Sequence, residues 1–315
     1  MRIPLTFIAL SLAVSNVHAA YTIQDGKLIN ADRVATLSCD DHYQIATNAY
    51  LAEDWDVAAT QFDIIHTSFP KTPMGQESPF FKGVCLYERE EYEFANEAFN
   101  DYLKSSAQPQ FFAEAMDYKF AIANQFAGGA RRRCFGTKQL PKILPAKNLA
   151  VEIYDEIIQT MPCHDYAAEA LWAKGNMYWE EGAYSESIDN FQMLIRRFPK
   201  HELTPQAYVA INQVYRTEAE WEFQNPDLLQ LAELNLRRFE TDFPRDERLE
   251  QAKIDLIALK ETYASGLWTT GNYYEGQGAP KAAVIYYLNA LKKFPETQVA
   301  EKCRARLESL QHVEL

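Results

Sequence analysis

The chain has no excess of positive charge: across 315 residues, 31 Lys and Arg stand against 44 Asp and Glu, a formal net charge of −13. That balance argues against a nucleic-acid partner, because phosphate binding needs local positive charge. It favours solubility instead. Motifs that carry chemistry are missing too. The five cysteines (Cys39, Cys85, Cys134, Cys163, Cys303) form no C-x-x-C pair, and the mature histidines His42, His66, His164, His201 and His312 fit no H-E-x-x-H spacing. No G-x-S-x-G elbow and no G-x-x-x-x-G-K-[ST] phosphate loop occurs. The expectation is a chain that is not an enzyme and uses no metal or cofactor. Strand-like alternation is confined to Tyr21–Ile29 (YTIQDGKLI), read as a small hairpin or an extended arm.

A second long apolar run is also lacking, which makes the first one informative. Arg2 precedes the apolar stretch Ile3–Val14, and Val17-His18-Ala19 offers small residues to a signal peptidase. The stretch is shorter than the roughly 20 residues that a membrane-spanning helix needs. Residues 1–19 are therefore read as a cleavable secretory signal and the mature chain as beginning at Ala20 without a lipid, since no cysteine adjoins the cleavage site. An exported compartment permits disulfides. The odd cysteine count leaves at least one thiol free or paired elsewhere, and Cys85 and Cys303 lie in helical patterns where buried thiols are ordinary.

What the sequence does have is a recurring ruler. Gly271 is followed by Tyr274, Ala283, Tyr287, Ala290 and Pro295; Gly175 by Tyr178, Ser187, Phe191, Leu194 and Pro199; Ala46 by Ala49, Ala58, Phe62, Ile65 and Pro70. Gly83 repeats it with Leu86, Ala95, Phe99 and Tyr102, Ala107 replacing the proline. Two antiparallel helices close-pack only if a small residue on each sits where the backbones approach; an aromatic fills the gap, and a proline stops the second helix. The pattern resembles the tetratricopeptide repeat. It predicts an all-α fold, a tetratricopeptide-type helix-turn-helix superhelix of five to six helix pairs over residues 41–311, after an extended arm at 20–40 and before a tail at 312–315.

Two units are stretched. Phe111–Ala127 and Lys147–Met161 read as partner helices separated by Gly128–Ala146 (GGARRRCFGTKQLPKILPA), expected to be a long projecting loop. Arg131-Arg132-Arg133 reads there either as a contact to a phosphate or an acidic partner or as a solvated turn. Cys134 and Cys163 fall at the same end of this unit, so a disulfide between them is an expectation. In stacked pairs the first helices line a concave groove. The register places Tyr43, Thr47, Phe80 and Val84 facing it, with Tyr50 and Tyr87 a turn further on, a lining suited to an extended apolar or aromatic-ended peptide.

Taken with the export signal, the closing stretch Gly271-Asn272-Tyr273-Tyr274 through Ala282-Ala283, Tyr286-Tyr287 and Lys293-Phe294-Pro295 is similar to the BamD family, the tetratricopeptide component of the outer-membrane β-barrel assembly machinery. The likeness spans roughly Tyr43–Leu310. It implies a periplasmic scaffold, peripheral to the outer membrane and held there only through partners. Its first units would receive unfolded outer-membrane proteins, and its last would dock on a BamA-like barrel component. Two features depart from that family: its members carry a lipid-bearing cysteine after the apolar run, and the arginine-rich insertion is foreign to the pattern. The alternative is a soluble periplasmic adaptor resembling the Tol-Pal-associated coordinator of cell-wall work.

Overall fold

A computed structural model describes residues 21–24, 27–30, 34–105, 108–137, 140–221 and 225–311; the signal segment and residues 312–315 lie outside them. An antiparallel hairpin, β1 (Tyr21–Gln24) and β2 (Lys27–Asn30), pairs Tyr21 with Asn30. Helix pairs follow: α1 (Cys39–Leu51) with α2 (Trp55–Ser68), α3 (Pro73–Glu88) with α4 (Tyr92–Ser105), α5 (Phe112–Ala127) with α6 (Lys147–Thr160) and α7 (Asp165–Glu180) with α8 (Tyr184–Arg197). Then come α9 (Leu203–Trp221) with α10 (Pro226–Asp242), α11 (Arg248–Gly276) with α12 (Pro280–Lys293), and a closing α13 (Gln298–Gln311). The insertion holds short strands β3 (Arg131–Arg133) and β4 (Lys142–Pro145) around a 3-10 turn at Cys134–Gly136. The fold is all-α and of the tetratricopeptide type. It divides into two compact units, Met1–Ile122 with Arg132–Lys142 and Ala123–Arg131 with Ile143–Leu315.

The ruler positions are the core. Ala46, Ala58, Phe62 and Ile65 are buried, as are Ala95, Phe99 and Tyr102; Ser187, Phe191 and Leu194; and Ala283, Tyr287 and Ala290. Each glycine leaves space that the facing ring occupies. A Cβ on Gly83 would lie 2.7 Å from the Phe99 ring and one on Gly175 2.5 Å from Phe191, closer than carbon atoms approach. Helix ends are equally regular. Ser38 accepts a hydrogen bond from the Asp41 N–H, Asp54 from Val57 and Thr72 from Gly75, satisfying first-turn donors. At the other end Phe69, Phe198, Phe243 and Phe294 each donate their N–H to the carbonyl four residues back, and the proline after each stops the helix.

In four of the pairs the turn is set by one left-handed residue seven positions after the small one: Glu53 (φ 58°), Glu90 (φ 57°), Gly182 (φ 75°) and Gly278 (φ 74°). The following N–H reaches back to the carbonyl five residues earlier, as in Asp54 to Ala49, Glu91 to Leu86, Ala183 to Tyr178 and Ala279 to Tyr274. This is the helix-ending motif of a left-handed cap. Successive pairs are joined by polar rungs from a second helix to the next first helix. Lys82 meets Asp63 at 2.6 Å and Lys174 meets Asp155 at 2.5 Å, both 19 residues apart, while Lys119 bonds Asn96 and Asn100. Lys119 and Lys174 are buried, so the rungs satisfy charges that burial would otherwise penalise.

The insertion does not project. It folds back on the first unit: Arg133 bonds the Glu91 carboxylate through Nε at 2.9 Å and Nη2 at 2.5 Å, and Lys142 donates to the Glu90 carbonyl at 2.8 Å. The expected free loop is corrected by a partner 42 residues earlier in the chain.

Candidate functional site

Within the first unit, the first helices of its pairs carry an aromatic strip. On α1, Tyr43 lies edge-on to Phe62, ring centroids 6.4 Å apart; two turns on, Tyr50 contacts Trp55 at 5.4 Å and Phe81 of α3 at 6.1 Å. Phe81 stacks on Phe62 at 5.3 Å. Further along, Tyr87 of α3 meets Tyr118 of α5 at 5.2 Å, and Tyr118 stacks on Phe99 at 5.2 Å. Tyr43, Thr47, Tyr50, Tyr87 and Tyr118 are half-buried, one side packed and the other open. Such rings present rigid apolar area that loses little entropy on binding.

Phe80 and Val84 do not belong to that surface, and the sequence reading is corrected there. They are 6% and 4% exposed, and Phe80 stacks on Phe111 at 4.7 Å while also meeting Phe99 and Tyr102. An inner first helix is covered by the residues that lead into the next pair as well as by its own partner. Counting along α3 alone cannot reveal that second cover. Tyr118, by contrast, was missed by the sequence reading because its unit is stretched by the insertion and its ruler position is Ile122 instead of a small residue.

The hydroxyls of Tyr50, Tyr87 and Tyr118 have no hydrogen-bond partner among the described residues. Burial pushes the Tyr50 and Tyr118 phenols upward, Tyr118 further through Tyr50 and Glu88 nearby, so both stay protonated donors at neutral pH. Rings with free donors on the first helices of three successive pairs suit a chain segment that offers apolar side chains and unpaired carbonyls. Among the described residues no group of His, Cys, Asp and Glu could hold a metal ion, and no helix is long and apolar enough to cross a membrane. Cys134 is half-buried, Cys163 is exposed, and neither is bridged in this structure. Burial raises the Cys85 thiol to about 12 and the Cys303 thiol to about 11, well above a reactive range.

Residues 169–201, spanning most of α7 and α8, match the tetratricopeptide repeat family. No curated protein is similar enough to this chain to count as a relative. Solved structures that resemble it include a TPR repeats protein from Bacteroides fragilis, at 13% identity and TM-score 0.43, covering 87% of this chain and 100% of that one. A tetratricopeptide repeat protein from Parabacteroides merdae follows at 11% identity and TM-score 0.36, covering 84% and 96%. YrrB, described as a TPR protein with an unusual peptide-binding site, has 13% identity and TM-score 0.35, covering 69% and 92%. Likenesses this distant say nothing about ligand or partner. The matched repeat and the helix-pair packing around it make this an all-α chain of tetratricopeptide type, a fold that typically serves as a non-catalytic scaffold for binding other proteins.

Proposed function

We propose that the chain is an exported, periplasmic scaffold that receives segments of unfolded outer-membrane β-barrel proteins on the tyrosine strip of α1, α3 and α5. Its closing helices dock on a BamA-like component of the assembly machinery. One observation supports the binding role above others: Tyr50, Tyr87 and Tyr118 are half-buried, each with a packed ring and a hydroxyl that has no partner among the described residues. A β-strand that has not yet paired exposes apolar side chains on alternate positions and free carbonyls between them. The strip offers complements to both. The family resemblance of the closing stretch supplies the partner.

Fluorescence anisotropy with an aromatic-ended β-barrel strand peptide tests this reading. Tyr50→Ala with Tyr87→Ala is expected to weaken binding about tenfold, roughly 1.4 kcal/mol, with helicity unchanged. Because both rings are also packed, Tyr50→Phe with Tyr87→Phe separates the roles: it keeps the rings and removes only the donors, and an intermediate loss is expected. Unchanged affinity with a lowered unfolding midpoint would make these tyrosines ordinary knobs between helices. For the partner, crosslinking in envelope extracts is expected to recover the barrel component. Recovery of Tol or cell-wall synthesis proteins alone would replace the assembly role with the coordinator role.

A further inference from the structure

The second helices carry grooves of their own, and two of them have opposite charge. In the first unit, the cleft between α2 and α4 is lined by Asp56, Asp63, Glu97 and Asp101, and its two cations are already engaged, Lys82 with Asp63 at 2.6 Å and Arg89 with Asp56 at 2.7 Å. In the second unit, the groove between α8 and α10, floored by α9, has no carboxylate in its lining. Ile195, Leu231 and Leu234 line it beside Arg196 and Arg238, and the Tyr208 ring closes its floor.

Neither arginine has an ion-pair or hydrogen-bond partner among the described residues. Among the other described arginines, Arg89, Arg133, Arg216, Arg248, Arg304 and Arg306 pair with carboxylates, while Arg197 and Arg237 donate to backbone carbonyls. Two acids of α10 are engaged with other helices, Glu233 with Lys260 at 3.4 Å and Glu240 with Lys253 at 3.2 Å, and Asp242 accepts from the hydroxyl of Tyr208, on the groove's floor, at 2.6 Å. Beside the arginines, Leu231 and Leu234 are 44% and 39% exposed, one turn apart on the same helix face. The groove encloses about 210 Å³, below the range of a drug-sized or cofactor pocket but enough for a side chain or two.

We infer that this groove is a second docking surface, distinct from the tyrosine strip, and that it takes a segment of a partner protein in which carboxylates flank leucine-like side chains. Arginine forks bind carboxylates through paired hydrogen bonds, and the leucines between them would exclude water from those bonds and cover the apolar part of the segment. A purely apolar segment would leave both guanidinium groups uncompensated. A basic one would be repelled.

The test is an anisotropy titration of the full chain with a fluorescein-labelled peptide Asp-Leu-Glu-Leu-Asp, against its amide analogue Asn-Leu-Gln-Leu-Asn. The acidic peptide is expected to bind at least tenfold more tightly, with an affinity that falls as salt rises. Arg196→Gln with Arg238→Gln should bring the acidic peptide down to the amide analogue's affinity, and Leu231→Ser with Leu234→Ser should weaken both peptides. All four side chains are exposed, so the unfolding midpoint should hold. The Tyr50→Ala, Tyr87→Ala variant should bind the acidic peptide as the parent does, which separates this surface from the one proposed above. Equal binding of the two peptides, no measurable binding of the acidic one, undiminished binding by the arginine variant, or loss of binding in the tyrosine variant would each overturn the assignment.

Discussion

At Gly175 the α7 backbone lies against the Phe191 ring so closely that a Cβ would fall 2.5 Å from it, and Gly271 stands in the same relation to Tyr287. Gly175→Leu and Gly271→Leu should therefore force the paired helices apart, lowering stability by about 1 to 3 kcal/mol or more; urea unfolding followed by circular dichroism measures it, and unchanged midpoints would contradict the register. These contacts were legible in the sequence because a small residue and an aromatic recur at fixed spacing. Other residue-level features were not. The left-handed turn position is glycine at Gly182 and Gly278 but glutamate at Glu53 and Glu90, so composition alone does not mark it. Pro79 sits inside α3, where it cannot donate to the Gly75 carbonyl; His66 Nδ1 takes that place at 3.0 Å. His66 looked like one scattered histidine among others, because its partner is a backbone group on the next helix.

Among elements, the insertion shows where a sequence reading reaches its limit. Paired glycines and prolines announced a break in the helices, and they were right about that. They could not show that Arg133 and Lys142 would return to the α3–α4 turn, since that contact is made by folding. The Arg133 guanidinium holds the Glu91 carboxyl below the usual carboxylate range, Lys142 adding to it against the opposing effect of burial. A carboxyl with a depressed native pKa contributes stability that is fully present above its unfolded value, about 4.3, and is lost as pH falls through the native one. The parent chain should thus lose stability below about pH 4 more steeply than Glu91→Gln, which lacks that titration. Arg133→Ala leaves a carboxylate that is only 11% exposed short of its main partner. Such a loss costs about 1 to 3 kcal/mol at neutral pH, with faster amide exchange across 131–137 and 140–145. Parallel acid titrations that superimpose would show that the contact contributes nothing.

For the whole molecule, an array of helix pairs has an end that must be closed, because no single pair buries its own apolar face. The α13 helix does this for the last pair: Val299, Cys303 and Leu310 join Ala283, Tyr287, Ala290 and Phe294 in one buried cluster. Its outer face is Glu301, Lys302, Arg304 and Glu308, all exposed. Attachment is specific at both ends. Glu261 of α11 accepts from the Gln298 and Val299 N–H groups at 2.8 and 2.9 Å, capping α13, and Arg306 pairs with Glu275 near its other end. Removing residues 298–315 should uncover Tyr287 and Phe294 and strip the cluster of three apolar side chains, each worth about 1.5 to 3 kcal/mol when fully buried. Stability in such arrays is a sum of near-neighbour terms, so the loss should stay local. Hydrogen exchange is expected to show α12 and the distal half of α11 losing protection, the α1–α4 amides keeping theirs, and a greater tendency to aggregate. Glu261→Gln, which removes only the charged cap, should give a smaller change confined to α13. An α12 that stays fully protected without α13 would mean that the last pair closes itself, and that α13 is free to serve a partner instead.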